Sequence, residues 1–109
     1  MKSAEDKIQI LKELKLLLKK EYPTDVDEVI LFGSQATNQA REYSDYDILV
    51  ILKTSYDWRL ENAIMDSCYE IDLKYDILTD VQFISRPELK TIKGKQPFIQ
   101  NALEQGLTV

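Results

Sequence analysis

Residues 31–50 read LFGSQATNQAREYSDYDILV, from Leu31 to Val50. An apolar run stops at Gly33-Ser34, ten mostly polar residues follow, and Asp45-Tyr46-Asp47 then leads directly into the apolar run Ile48-Leu49-Val50-Ile51-Leu52. Near-continuous aliphatic sequence of this kind is the signature of a strand covered on both faces. Residues i and i+2 of a strand project to the same side, so Asp45 and Asp47 aim at one point. Two like charges held close repel and raise each other's pKa unless a cation lies between them. Carboxylates are the ligands expected for Mg²⁺, which completes its octahedron with waters and substrate phosphates. Gly33 removes a side chain where the backbone turns and lets a ligand come close. If Ser34 caps a short helix over SQATNQA, its hydroxyl and the next backbone N–H groups form a phosphate cradle. The plainer readings are a simple helix cap at Gly33-Ser34, a turn at Asp45 and an exposed strand edge at Asp47.

The flanking sequence supplies the remaining elements. Ser3 and Asp6 form a capping-box pattern, and Ile8, Leu11, Leu14, Leu17 and Leu18 recur at helical spacing until Pro23 stops the helix. Glu28 to Phe32 reads as a buried strand, and Tyr46 to Lys53 as a second. Asp57 caps a helix running to about Tyr75, with Leu60, Ile64, Cys68 and Ile71 along one stripe. Asp76 to Ile84 alternates loosely and is the third strand. A short helix begins at Arg86-Pro87-Glu88, and a last one spans Phe98 to Gln105, ended by Gly106. The order predicts an α/β (α+β) fold, a small mixed β-sheet with helices packed on it, in one domain over residues 1–109.

Bulk properties narrow the chemistry. The 109 residues are 44% hydrophobic and 30% charged, as in an ordinary globular protein. A net charge of -5 argues against direct nucleic-acid binding and against an anionic membrane surface. The lysines of the first helix (Lys7, Lys12, Lys15, Lys19, Lys20) alternate with acids and read as a solvated face. One cysteine, Cys68, allows no internal disulfide, and the lack of histidine removes His-based zinc sites and Ser-His or Cys-His nucleophile systems. The charged N-terminal segment is no signal peptide and no apolar run reaches membrane-spanning length, which leads to a cytoplasmic expectation.

Gly33-Ser34, ten residues, then Asp45-x-Asp47, with an aliphatic-Phe lead-in, Ala36, Arg41, Ser44 and the apolar run after Asp47, resembles the nucleotidyltransferase superfamily related to DNA polymerase β. More narrowly it resembles the minimal nucleotidyltransferases (MNT), small proteins often paired with HEPN-domain partners. The resemblance covers most of the chain, since PFIQNALEQGLTV looks like the closing helix of such proteins. It departs at Gln35, where the family frequently has Arg, and at Asn38, where Gly is common; Arg41 is available as a compensating cation.

The resemblance implies transfer of a nucleoside monophosphate, AMP from ATP, to a hydroxyl with release of pyrophosphate. It implies that Asp45 and Asp47 hold one or two Mg²⁺, and that Gly33, Ser34 and Arg41 bind the phosphates. A third carboxylate from a later strand would hold the second metal and take the acceptor's proton. Asp80 is the choice, with Asp76 the alternative and Asp72 assigned to the preceding helix. One small domain has little room for an acceptor pocket. A partner is therefore expected to bring the acceptor, in the MNT/HEPN arrangement a tyrosine of the toxin, with this chain as antitoxin. An MNT-type module that neutralises its partner by binding alone is the other reading; a metal-binding structural domain is a third, which leaves Gly33-Ser34 without a role. Self-association stays open.

Overall fold

A computed structural model describes residues 3–37 and 44–109. Helix α1 (Ala4–Glu21) starts in the expected capping box: the Asp6 N–H donates to Ser3 Oγ at 3.2 Å, and the Ser3 N–H to Asp6 Oδ2 at 3.0 Å. Strand β1 (Val26–Phe32) follows, then a three-residue 3₁₀ turn over Gly33–Gln35, β2 (Tyr46–Leu52), α2 (Trp58–Tyr75) and β3 (Thr79–Ser85). Two further 3₁₀ turns, Pro87–Lys90 and Ile92–Lys95, lead to α3 (Pro97–Gln105).

The sheet has the order β1-β2-β3, with β1 antiparallel and β3 parallel to the central β2. A parallel neighbour needs a crossover, and α2 is that crossover. Alternation along the strands sorts the apolar side chains onto two faces. One face presents Val29, Leu31, Ile48, Val50 and Phe83 to Leu11, Leu14 and Leu18 of α1 and Ile64, Cys68 and Ile71 of α2. The other presents Ile30, Phe32, Leu49, Ile51 and Ile84 to Ile99 and Ala102 of α3. The reading of β2 as a strand covered on both sides holds, and the small mixed sheet with packed helices is the fold observed.

Three local expectations change. Ser34 caps no helix: the residue preceding the turn is Phe32, no side chain caps it, and the turn stops after Gln35. The third strand begins at Thr79, three residues later than expected, because α2 unwinds through Asp76 in the left-handed conformation (φ 53°). Lys7 is not on a solvated face. It is 3% exposed, and its Nζ donates to the Gln35 carbonyl at 3.3 Å. Lys7, Leu11, Leu14 and Leu18 share the buried stripe of α1.

Candidate functional site

Strand register places the acidic residues on one face. Asp47 on β2 pairs with Asp80 on β3 on one side and with Phe32 on β1 on the other. Directly paired residues project to the same face of a sheet, so Phe32, Asp47 and Asp80 form a row on the α3 side. Asp45, two residues before Asp47, is directed to that side as well. The apolar cover of this face runs out at Phe32, where Phe98 from the start of α3 packs with ring centroids 6.4 Å apart. Asp47 is half-buried at that boundary, while Asp45 and Asp80 are exposed. Leu78 and Gln82 flank Asp80 and are exposed too, and the Gln82 amide donates to Asp80 Oδ1 at 3.4 Å.

Gly33 sits against this row. Its φ is +73°, a conformation that side chains with a Cβ adopt at a cost. A Cβ built on Gly33 would lie 2.2 Å from Asp47 Oδ2. The backbone of the turn therefore lies on the Asp47 carboxylate with no room for any side chain between them. Ser34 follows, half-buried. Gln35 turns inward: it is 4% exposed, its amide donates to the Ser44 carbonyl at 3.0 Å, and its backbone carbonyl accepts from Lys7. Position 35 thus ties the turn to the residue just before Asp45 and to α1. Its Oε1 is buried without a hydrogen-bond partner among the described residues. Arg41 and Asn38 lie outside the described residues.

Asp76 and Asp72 are placed differently from Asp80. Asp76 is the exposed left-handed residue closing α2. Asp72 lies on α2, as expected, and its Oδ1 accepts the Thr79 N–H at 3.2 Å, fixing the start of β3. Neither is in register with Asp47, and Asp80 is.

Residues 8–108 match the family model for polymerase beta, nucleotidyltransferase. The chain belongs to the polymerase β-like nucleotidyltransferase family. It is 32% identical over 96 residues to "Putative protein adenylyltransferase MJ0604" of Methanocaldococcus jannaschii, covering 88% of this chain and 90% of that one. It is 37% identical over 71 residues to "Putative protein adenylyltransferase MJ0141" of the same organism, covering 65% of this chain and 72% of the relative. The fold also superposes on a solved toxin–antitoxin structure with AMP-PNP at a TM-score of 0.59 and 21% identity, covering 89% of this chain and 69% of that chain.

The electrostatics of this nucleotidyltransferase centre on Asp47. Burial, then the neighbouring Asp80, then Asp45, push its carboxyl above the usual aspartate range. Among the described residues no three His, Cys, Asp or Glu side chains stand close enough to share a metal ion. The donor set nonetheless fits a hard divalent cation: the candidate ligands are oxygens, and the repulsion that Asp80 and Asp45 add at Asp47 is what a cation relieves. Asp45 and Asp80 are exposed, and a bound cation would offset the repulsion that opposes bringing three carboxylates together. The cysteine offers no competing chemistry, since burial, with Asp72 adding to it, pushes the Cys68 thiol up to about 12.

Sequence reasoning missed the buried Lys7 and the inward role of Gln35. The signal for Lys7 was present: it occupies the i, i+4, i+7, i+11 spacing with Leu11, Leu14 and Leu18. Nothing in the sequence marks Gln35 as buried, because that depends on where the chain around Ser44 returns.

Proposed function

We propose that this nucleotidyltransferase moves AMP from ATP onto a hydroxyl of a partner protein, a tyrosine of a HEPN-domain toxin, and thereby acts as an antitoxin. The observation that carries the reading is the register Asp47–Asp80, with Asp45 on the same open face and the Gly33 backbone against Asp47. The likeness to relatives named protein adenylyltransferases, and to a toxin–antitoxin structure containing AMP-PNP, supports it.

Asp45 and Asp47 would hold one or two Mg²⁺, with Asp80 completing the set. When bound, the metal neutralises charge on the phosphates during an in-line displacement. The Gly33-Ser34 backbone would lie along the β- and γ-phosphates, with Arg41 as a further phosphate contact. The acceptor hydroxyl oxygen attacks the α-phosphorus and a new P–O bond forms. The bond to the β-phosphate oxygen breaks, and pyrophosphate leaves. Asp80 is exposed at the row's outer end, where it can accept the hydroxyl proton.

A second reading, an antitoxin that masks its partner by binding alone, draws on the spread of the carboxylates and on the inward-facing Gln35. One experiment separates the two. The protein is incubated with labelled ATP, Mg²⁺ and the product of the adjacent gene. Label on the partner that disappears with Asp47→Asn supports transfer; stable complex formation with no label at any time supports masking.

A further inference from the structure

The two outer strands of the sheet treat their free edges differently. On β1 the edge is closed: Leu31 exchanges both backbone hydrogen bonds with Leu107, at 3.0 and 2.7 Å, and the Val29 N–H donates to Glu28 Oε1 at 3.0 Å. On β3 the pattern follows from the ladder. The Tyr46 N–H donates to the Leu78 carbonyl and the Arg86 N–H to the Leu52 carbonyl, both at 2.8 Å, so even-numbered β3 residues direct their backbone toward β2. Odd-numbered residues direct theirs outward.

Those outward groups have partners at the two ends and none among the described residues in the middle, where Thr79 and Val81 are half-buried and Phe83 is buried. The Thr79 N–H is held by Asp72. The Phe83 carbonyl accepts from Tyr56 Oη at 3.3 Å, and the Ser85 N–H donates to Glu88 Oε1 at 3.0 Å. Between them the Thr79 carbonyl, both backbone groups of Val81 and the Phe83 N–H have no partner among the described residues. This is a short row of alternating acceptors and donors beside Asp80.

We infer that this bare row is the acceptor dock: an extended segment of the partner polypeptide adds as a fourth strand along residues 79–83. A residue of the added strand level with Asp80 projects to the same face, with Cβ atoms about 4.5–5.5 Å apart. Its hydroxyl is thereby delivered to the carboxylate that takes the proton. The inference rests on the transfer reading above for the fate of that hydroxyl. A second copy of this chain is the poorer occupant. So short a strand contact buries far less than the roughly 1,200 Å² of a stable interface, and a brief, exchangeable contact suits a substrate.

The test titrates tyrosine-centred peptides, long enough to form a strand, into the ¹⁵N-labelled protein with Mg²⁺ and AMP-PNP. Bound peptide is expected to protect the Val81 and Phe83 amides from hydrogen exchange and to leave Gln82 and Ile84, already bonded to β2, unchanged. Val81→Pro removes one outward N–H without touching the β2 ladder, a change edge strands tolerate. It is expected to weaken peptide binding about tenfold while nucleotide binding stays. Three results overturn the dock: no peptide binding, binding with no change at the Val81 and Phe83 amides, or unchanged peptide affinity in Val81→Pro. Concentration-dependent protection of those amides in the protein alone overturns it in favour of a second copy. Failure of the transfer reading shows elsewhere, as absence of label from ATP on peptide and on N-acetyltyrosinamide alike, even where the amides are protected.

Discussion

Asp47 and Gly33 constrain one another. The carboxylate oxygen occupies the volume that a side chain at position 33 would need, and the turn that brings the two together requires a positive φ. Gly33→Ala therefore imposes a left-handed backbone on a residue with a Cβ and pushes Asp47 aside. A loss of about 1–3 kcal/mol in urea unfolding is expected, with transfer reduced as well. Unchanged stability would mean that the turn relaxes freely and that the two residues are not locked. Asp47→Asn keeps the shape and removes the charge. Altering a residue that merely supports a metal ligand already costs about 10–100-fold, so if Asp47 is a ligand, as proposed, initial-rate assays of this variant should show a loss of about 100-fold or more. The Gly-Ser and Asp-x-Asp spacing made these residues legible, because strand parity and the need for a side-chain-free turn are local properties. The inward Gln35 was not legible, since its burial depends on the Ser44 carbonyl nine residues away.

Strand β3 and the end of α2 decide which acid joins Asp47, and parity alone did not. Asp76, Leu78, Asp80 and Gln82 would all share one face had β3 begun at Asp76. The left-handed residue that stops α2 takes Asp76 out of the strand and leaves Asp80 in register with Asp47. The end of α2 at about Tyr75 was legible, but the left-handed turn that delays β3 to Thr79 was not, because its residue is Asp rather than the usual Gly. Two substitutions exploit the difference. Asp76→Gly relieves a left-handed side-chain residue and should raise stability by about 0.5–1 kcal/mol, with transfer intact. Asp80→Asn should abolish transfer and leave the melting temperature no lower. The opposite pattern, transfer lost with Asp76→Gly and kept with Asp80→Asn, would move the role to Asp76. The strut from α1 belongs to the same scale. Lys7→Met keeps most of the apolar stem while leaving the Gln35 carbonyl without its donor, and should cost about 1–3 kcal/mol in thermal unfolding. An effect below a few tenths would show that water replaces the ammonium there.

Across the whole molecule, acid acts on stability in two opposing ways. Hydrogen bonding from Arg86 holds the Asp27 carboxyl below its ordinary value of 3.8, and Lys74 followed by Tyr75 does the same for Glu13 against an ordinary 4.5. Groups with depressed folded-state values stabilise the fold above their unfolded values, and this support is lost as pH falls through the folded ones. These exposed pairs link β1 to the residue after β3, and α1 to α2, so acidification loosens the packing around the sheet. Asp47 runs the other way. Its carboxyl is raised by burial, Asp80 and Asp45, so the charged form destabilises the fold at neutral pH, and that cost vanishes as pH falls to the ordinary value of 3.8. The fold carries this strain at its acidic row, where Asp47→Asn removes it. Thermal melts without Mg²⁺ should find Asp47→Asn more stable than the parent protein at pH 7. The gap should close as the pH is lowered toward 3.8, and below the ordinary values of 4.5 and 3.8 both proteins lose the support of Glu13 and Asp27. Added Mg²⁺ should narrow the gap at pH 7 by stabilising the parent alone, since only the parent keeps the full carboxylate set. A gap that is absent at pH 7, or that widens on acidification, would mean that Asp47 is not the strained charge in this sheet. A gap indifferent to Mg²⁺ would mean that the row does not hold the cation.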